Sequence, residues 1–292
     1  MRCRLANNST KGFRFGSKRM TTLLLSFYKI WHGRFGLKGA GLVIRLLAPH
    51  SRTLQNCPLR LPEGHSIYLD FRDVSAWYWL NFTLGDQLEE AGLIQAVCSV
   101  AQPGAVIWDV GANSGLFSYV LARKLPNCRI FYFEPNPSVY KIARSALRPF
   151  GNAEGLNIGL SSGCSTATPM AVPNGASTVG TINPGPLGRK VSITMIEVEK
   201  GDSLVESGRL PAPHILKIDT EGHEPHTLAG VKSTILEGRP TIFFEHISLS
   251  DSEVRALMPE GYKLCTVSDQ TGELVAFNRK VGHNSAFLPQ KI

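Results

Sequence analysis

Apolar runs of strand length that end in an acidic residue recur from residue 104 onward, and they constrain the fold more than any other feature. The clearest runs occupy residues 105–111, 129–135, 214–222 and 239–246, and helical patterns separate them. A continuous apolar run is typical of a parallel strand buried on both faces, because helices cover both sides of such a sheet. Strands that alternate with helices between about residues 104 and 280 therefore predict an α/β fold with an open, mostly parallel sheet.

The segments between these runs predict the helices and the weaker strands. Helical spacing of apolar residues covers 86–101, 115–124, 138–148 and 226–238, and a short helix begins at Asp202. Residues 155–160 predict a weaker strand, alternation of β-branched residues predicts a strand at 190–199, and two runs joined by a polar turn predict a C-terminal antiparallel hairpin at 261–277. Residues 161–190 are rich in Gly, Ser, Thr and Pro, and we expect a long loop or an irregular hairpin there.

The first 60 residues differ from the rest in charge. They contain twelve Lys or Arg and no acidic residue, whereas the remainder has 19 basic and 23 acidic residues. We predict a disordered basic arm at 1–19, a helical and short-strand extension at 20–84 with two helices between Met20 and Ala48, and one domain at 85–292. The basic segment indicates a solvated arm or weak attachment to an anionic membrane surface. It does not indicate nucleic-acid binding, since no nucleic-acid motif accompanies the charge.

Cysteine spacing and hydropathy bear on the compartment. The six cysteines are scattered, with no Cys-x-x-Cys pair and no His at metal-ligand spacing. Such cysteines are typical of a reducing cytosol, where thiols serve as small core residues. No apolar run reaches the roughly 18 residues that a membrane span needs. We therefore expect a cytoplasmic protein, with peripheral membrane contact through the basic segment as the alternative.

A glycine-containing turn follows the first of the strong strands. Residues 109–115 are Asp-Val-Gly-Ala-Asn-Ser-Gly, at a predicted strand-to-helix junction. Gly111 permits a tight turn and Gly115 the close approach of a ligand and a helix, while Asn113 stands at the second glycine place of the dinucleotide fingerprint. Glu134 ends the next strand 19 residues after Gly115, where a carboxylate can accept both hydroxyls of a ribose. Ribose recognition without a pyrophosphate loop indicates S-adenosylmethionine.

Residues 216–224, Leu-Lys-Ile-Asp-Thr-Glu-Gly-His-Glu, place several charges at the tip of another strand. Ligands of open α/β sheets bind beyond the carboxyl ends of the strands, so this segment is expected to face the same crevice as the glycine turn. A negative rim suits a sulfonium donor, and a hydroxyl acceptor needs a base as the methyl group arrives. Asp219, Glu221 and His223 are the candidates for that base. The alternative, strongest for Glu221 and Glu224, is that the acids cap the following helix.

Histidines near this segment raise the question of a metal ion. A divalent ion would need ligands from a set whose spacing matches no recognised motif: His223, His226, His246, Asp219 and Glu245. We therefore predict no metal site.

An aromatic cluster precedes the predicted domain: Trp77, Tyr78, Trp79 and Phe82. We expect it to serve mainly in core packing, with the lining of an acceptor pocket as the alternative.

Five segments taken together resemble the FkbM family of S-adenosylmethionine-dependent methyltransferases. In order along the chain they are residues 107–122, 130–137, 156–162, 216–230 and 239–246. The Lys-Ile-Asp-x-Glu-Gly-x-Glu pattern is the most specific mark, and the resemblance extends over about residues 85–280. It implies the class I methyltransferase, Rossmann-like fold and methyl transfer to hydroxyl oxygens of natural products or sugars.

The resemblance also implies roles for individual residues. Donor binding falls to Asp109, Gly111, Asn113, Gly115, Glu134, Pro135, Asn136, Gly159 and Leu160. The acceptor side falls to Asp219, Glu221 and His223. Two departures from the family pattern are that Gly159 stands where Ala is usual and that Gly-Asp-Ser-Leu replaces the usual Leu-Asp pair near Asp202. The segment 161–190 varies within the family, so the identity of the acceptor does not carry over.

The sequence thus predicts an S-adenosylmethionine-dependent O-methyltransferase that acts on a hydroxyl of a small molecule, sugar or glycan. One alternative is an N-methyltransferase of the same fold, because a nitrogen acceptor often needs no strong base. The other is a catalytically silent binding protein. The intact glycine turn together with Glu134 and Asp219 counts against the silent protein, since it need not keep both halves of a site.

Overall fold

A computed structural model of the 292-residue chain describes residues 43–44, 46–85, 88, 90–174, 180–182, 191–247 and 249–290. The predicted arm at 1–19 and nearly all of the two helices predicted between Met20 and Ala48 lie outside these residues. Contacts divide the chain into a smaller unit, residues 1–57 and 69–72, and a larger unit, residues 58–68 and 73–292.

The strands are numbered along the chain. They are β1 (Cys57–Arg60), β2 (Ser66–Leu69), β3 (Val106–Val110), β4 (Arg129–Phe133), β5 (Ala153–Leu156), β6 (Gly159–Leu160), β7 (Ser165–Pro173), β8 (Val191–Glu199), β9 (Ile215–Ile218), β10 (Thr241–Glu245), β11 (Tyr262–Val267), β12 (Leu274–Ala276) and β13 (Asn284–Pro289).

The predicted parallel sheet is present and forms the centre of the larger unit. Its parallel part has the order β10-β9-β3-β4-β5. The four apolar runs supply β3, β4, β9 and β10, whose central side chains, such as Trp108, Leu216 and Phe243, are fully buried. Burial on both faces explains why these strands are continuously apolar. The register pairs Asp109 of β3 with Lys217 of β9, which brings opposite charges together inside the sheet.

The antiparallel edge contains one strand that the sequence analysis did not predict. The C-terminal hairpin of β11 and β12 forms as expected. β13 then lies between it and the parallel strands, antiparallel to both β11 and β10. This insertion pairs Glu245 at the end of β10 with Asn284. The last strand therefore brings further polar side chains to the edge where the parallel strands end.

A second, three-stranded sheet has the order β6-β8-β7. The single strand predicted at 155–160 is divided between the two sheets, because the Asn157 side chain between β5 and β6 donates hydrogen bonds to the carbonyls of Glu134 and Pro135. In the segment predicted as a loop or irregular hairpin, β7 pairs with β8 in antiparallel fashion. Residues 175–179 and 183–190 of that segment lie outside the described residues.

The helices follow the predicted order with four differences. They are α1 (Ser75–Leu84), α2 (Ala91–Val100), α3 (Leu116–Lys124), α4 (Pro137–Leu147), α5 (Gly201–Glu206), α6 (Glu224–Gly230), α7 (Lys232–Gly238) and α8 (Asp251–Ala256). Neither α1 nor α8 was predicted, α2 begins five residues later than predicted, and the helix predicted at 226–238 is two helices. Within the described parts of the chain, no helix has the length and apolarity needed to cross a bilayer.

The smaller unit is described at residues 43–44, 46–57 and 69–72. It contains the 3₁₀ turn Ala48–His50. The Phe71 amide donates to the Leu54 carbonyl at 2.9 Å, and both side chains are buried.

Candidate active site

A cavity of about 720 Å³ opens at the carboxyl ends of the parallel strands, within the range of roughly 300–1,000 Å³ that is typical of small-molecule sites. This is where ligands bind in open α/β sheets. Many of the residues that the sequence singled out line it: Gly111, Asn113, Glu134, Pro135, Gly159, Leu160, Asp219, Glu221 and His223. Asp109, Gly115 and Asn136 do not belong to that lining.

The glycine turn at the end of β3 fits against the end of β9. Gly111 has φ +80°, and a Cβ atom there would lie 1.8 Å from the Asp219 carbonyl oxygen. Asn113 has φ +53°, and its side-chain Oδ1 accepts a hydrogen bond from the Ser114 amide at 2.6 Å. Only glycine is compatible with both the left-handed conformation and the close approach at Gly111.

Glu134, at the end of β4, is held by backbone amides. Its Oε2 accepts from the Asn113 amide at 2.9 Å and its Oε1 from the Asn136 amide at 2.8 Å. The side chain is buried, and burial raises its pKa to about 7 even though the two amides act in the opposite direction. Each oxygen keeps a further lone pair, and Glu134 lines the cavity. These two acceptor oxygens fit the two hydroxyls of a ribose.

Two asparagines support Glu134 from outside the cavity wall. Asn136 is the N-cap of α4, where its Oδ1 accepts from the Ser138 amide at 3.1 Å. Asn157, which the sequence analysis did not single out, donates to the Glu134 carbonyl at 2.7 Å. A polar residue within a weak apolar strand was the available signal for Asn157.

Two predicted donor contacts lie behind the cavity wall. A Cβ atom on Gly115 would lie 2.8 Å from the Cβ of Ala143, so the close approach at Gly115 is that of α4. Asp109 is fully buried, and it accepts from the Ser118 hydroxyl at 2.7 Å. These two residues shape the turn, and the expectation that they touch the ligand finds no support in the cavity lining.

Lys217 links the two strand ends, and the sequence analysis gave it no role. Its Nζ lies 3.0 Å from Asp109 Oδ1 and 3.6 Å from Asp219 Oδ2, and its side chain is 3% exposed. Burial acts to lower the pKa of Lys217, but the carboxylates of Asp109 and Asp219 outweigh burial and raise the pKa above its ordinary value. The ammonium therefore stays charged and fixes Asp219 at the tip of β9.

The turn after β9 presents Glu221 to the cavity. Glu221 has φ +53°, and Gly222 follows it. Glu224 is 1% exposed, and its Oε1 accepts from the Thr220 and Gly222 amides at 2.9 and 3.2 Å. Burial and then the charge of Asp219 raise the pKa of Glu221 to about 7. Glu224 thus organises the turn from inside, while Glu221 faces the cavity.

His223 is buried beside the same turn. Its Nε2 lies 3.0 Å from the Ser161 hydroxyl, and its ring stacks on that of His226 at 4.7 Å. Burial, with a smaller effect of His226, lowers the pKa of His223 to about 4. The ring is therefore neutral at pH 7 and is a weak base. If His223 took part in catalysis, the pH–rate profile would not show the change near pH 6.5 that an ordinary histidine gives.

The far wall of the cavity carries acids that the sequence analysis did not assign to catalysis. Glu245 lines the cavity at the end of β10. Burial and then the charges of Asp219, Glu221 and Glu224 raise its pKa to about 8. Asp269 and His283 also line the cavity, and they form an ion-pair contact of 2.6 Å between Oδ2 and Nδ1. β13 brings His283 here, which the sequence pattern did not reveal.

The aromatic cluster divides between core and cavity. Trp79 is fully buried, packs edge-on against Tyr119 at 5.1 Å and donates to the Ser114 hydroxyl at 3.1 Å. Tyr78 lines the cavity.

Within the described part of the chain, no group of three or more His, Cys, Asp or Glu side chains is arranged to hold a metal ion.

The chain is similar to known methyltransferases. Residues 109–281 match the model of the methyltransferase FkbM domain. Over 182 residues the chain is 32% identical to the hexuronic acid methyltransferase AglP of Haloferax volcanii, an alignment that covers 61% of this chain and 70% of the relative.

Two solved structures are similar in fold. One is a methyltransferase FkbM from Methylobacillus flagellatus, with 16% identity and a TM-score of 0.44; it covers 71% of this chain, which spans about half, 52%, of that protein. The other is a TehB-like SAM-dependent methyltransferase from Corynebacterium glutamicum, with 11% identity, 74% and 96% coverage and a TM-score of 0.44.

Proposed function

Because the chain belongs to the FkbM family of S-adenosylmethionine-dependent methyltransferases, we propose that it transfers a methyl group to a hydroxyl oxygen of a sugar. The observation that carries this proposal is the cavity itself. Near one end, Glu134 is held for ribose recognition, and at the other an array of carboxylates faces the space that an acceptor would occupy.

The donor end is the wall formed by Gly111, Asn113, Glu134, Pro135 and Leu160. In this proposal Glu134 accepts the ribose hydroxyls, and the glycine turn lets the amino-acid part of the donor approach the backbone. When bound, S-adenosylmethionine supplies an electrophilic methyl group on a sulfonium cation. The carboxylates of the cavity favour that positive charge.

The acceptor end is the wall formed by Asp219, Glu221, His223 and Glu245. Carboxylates accept hydrogen bonds from hydroxyl groups and so suit a polyol. Asp219 is fixed by Lys217, and we assign it the task of orienting the acceptor hydroxyl. His223, neutral and bonded to Ser161, shapes the same wall.

A sugar is the acceptor class supported by the relative, whose name gives hexuronic acid as its acceptor. A hexuronic acid is therefore a second candidate for this chain. The described cavity lining bears Asp219, Glu221, Glu245 and Asp269, and the charge of Lys217 is already paired. Because like charges repel at such a wall, we favour a ring without a carboxylate.

Transfer of a labelled methyl group from the donor to a panel of methyl glycosides tests the proposal. The panel contains neutral hexosides, N-acetylhexosaminides, amino sugars and hexuronides. We expect label in a hydroxyl ether of a hexoside or hexosaminide, with Glu134→Ala as a protein blank. Label on nitrogen supports the N-methyltransferase alternative, and no label in any acceptor overturns the proposed function.

A further inference from the structure

The Glu245 side chain differs from those of Asp219 and Glu134, which also line the cavity, in having no partner. Its carboxylate makes no hydrogen bond or ion pair with any residue that the structure describes. Asp219, by contrast, faces Lys217, and Glu134 accepts two backbone amides. An ionisable group that faces a ligand cavity without a partner is a candidate for proton transfer.

We propose that Glu245 is the catalytic base that removes the proton from the acceptor hydroxyl. This assignment rests on the proposed function, because only a hydroxyl acceptor needs the proton removed.

The position of Glu245 suits this role. It is the last residue of β10, and the preceding Phe244 pairs with Ile218 of β9. Glu245 therefore lies beside Asp219, at the same edge of the sheet. On its other side it pairs with Asn284 of β13. A side chain on a strand held on both sides is positioned more rigidly than one on a turn.

Glu221 is the other cavity carboxylate without a side-chain partner in the described part of the chain. It lies in the turn after β9, in the left-handed conformation. Its charge is one cause of the raised pKa of Glu245. We therefore assign Glu221 an electrostatic effect on the base, and Glu245 the proton transfer itself.

Several titratable groups lie around Glu245, and four of them affect its pKa. β9 and the residues after it contribute three carboxylates and one ammonium, and the loops after β11 and before β13 contribute an aspartate and a histidine. These groups are Asp219, Glu221, Glu224, Lys217, Asp269 and His283, with His246 next in the chain. Burial and the three nearby carboxylates raise the pKa of Glu245 to about 8. A general base works best with a pKa close to the working pH.

Glu245 in its carboxylate form takes the hydroxyl proton while the acceptor oxygen forms a bond to the methyl carbon. The carbon–sulfur bond breaks, and its electron pair returns to sulfur, which leaves a neutral thioether. The Glu245 carboxyl then releases its proton to solvent through the mouth of the cavity.

The pH–rate profile of methyl transfer tests the assignment, measured in single turnover at saturating donor with the best methyl glycoside of the panel. The wild-type rate should rise with pH and level off above about pH 8, because only the ionised form of Glu245 accepts the proton. Glu245→Gln should lower the rate roughly 10²- to 10⁴-fold and remove this rising limb of the pH–rate profile. Glu245→Asp should restore part of the rate and keep the limb.

Two further variants, with a third as control, distinguish the base from the residues around it. Glu221→Gln removes a negative charge that raises the pKa of Glu245, so the limb should shift to lower pH. In Asp219→Asn the rate of methyl transfer should still rise with pH, even if the rate itself is lower than in the wild type. Glu237→Gln makes the same chemical change on the exposed side of α7 and should behave as wild type.

A titration of ¹³C-labelled glutamate carboxyls by NMR gives a reading that needs no acceptor. A resonance that is absent from Glu245→Gln should titrate near pH 8. The assignment is overturned if Glu245→Gln keeps the wild-type limb, or if the assigned carboxyl titrates at the ordinary value for glutamate. If the wild-type protein methylates no acceptor, the proposed function fails instead.

Discussion

The two ends of the cavity hold their carboxylates in opposite ways. At the donor end, two backbone amides fix Glu134. At the acceptor end, the Glu245 carboxylate has no hydrogen bond within the described residues. Burial raises the pKa of both, but the amides offset it at Glu134, whereas neighbouring carboxylates add to it at Glu245. A carboxylate with fixed partners is suited to binding, and one without them is suited to exchanging a proton.

Lys217 lies between these two ends and holds their positions relative to each other. It contacts Asp109 behind the glycine turn and Asp219 at the tip of β9. It also donates to the Gly111 carbonyl at 3.4 Å. The positions of the two ends therefore depend on the buried ion pair of Lys217 and Asp109.

The largest expected effect comes from Lys217→Met, which leaves Asp109 and Asp219 without their counterion. Breaking a buried ion pair from one side costs about 3–5 kcal/mol. We expect this loss in the free energy of unfolding measured with urea. Arg209→Met is the matched control, because Arg209 pairs with Glu199 at the surface, at 2.8 Å, where such a pair contributes about 1 kcal/mol or less. Equal losses in the two variants would contradict the role given to Lys217.

The next effect tests the contact between the glycine turn and β9. Gly111→Ala places a Cβ atom 1.8 Å from the Asp219 carbonyl oxygen, in addition to the cost of a left-handed conformation. We expect a loss of about 2–5 kcal/mol from the two causes together. Gly64→Ala is the control, since Gly64 has a similar φ of +87° and no atom within 4 Å of the added Cβ. It should cost only about 1–2 kcal/mol. Unfolding in urea measures both, and a larger loss at Gly64 would refute the contact.

The third effect separates binding from proton transfer. Glu134→Ala should weaken donor binding at least tenfold, or about 1.4 kcal/mol, because it removes the acceptor of two hydroxyl hydrogen bonds. Glu245→Gln should leave donor affinity within about twofold, although it slows methyl transfer. Isothermal calorimetry with S-adenosylmethionine measures both affinities. Unchanged affinity in Glu134→Ala would remove Glu134 from the donor site, and the contrast between the two ends would be lost.

Local patterns in the sequence were enough to predict the parallel sheet and the turns at the carboxyl ends of its strands. β3, β4, β9 and β10 are continuously apolar, and the turns after them carry Gly111, Glu134 and Asp219. Each of these signals is contained within a few neighbouring residues. Period and turn chemistry are therefore sufficient to locate them.

The parts that were missed depend on partners far away in the sequence. The role of Lys217 follows from its pairing with Asp109, 108 residues earlier, across β3 and β9. Glu245 and His283 line the same cavity only because β13 is inserted beside β10. The sequence gives no local sign of strand order, and the pKa of Glu245 depends on charges that the fold collects. Helix α1 was missed for a different reason, since its aromatic residues show no clear helical period.

The smallest expected effect is on how stability depends on pH, and its sign follows from the buried groups. Burial raises the pKa of Glu134 and Glu221 to about 7 and that of Glu245 to about 8. The folded state therefore binds these protons more tightly than the unfolded chain, whose glutamates titrate near 4.3. The stability that they contribute is present below about pH 4.3 and is lost as pH rises through 7 and 8. His223 and His246 act oppositely, since burial lowers their pKa to about 4, and they favour folding as pH rises to about 6.5.

Between pH 6.5 and 8.5 the histidine contribution is complete, and the glutamate contribution still declines. We therefore expect the free energy of unfolding of the ligand-free protein to fall over this interval. Because Glu245 has the highest of the three pKa values, Glu245→Gln should flatten the fall above pH 7 more than Glu134→Gln does. Urea unfolding at half-unit steps of pH measures the slopes. A slope above pH 7 that is unchanged in Glu245→Gln would mean that Glu245 is already ionised at neutral pH. The acceptor end would then resemble the donor end, with a carboxylate that binds and does not exchange a proton.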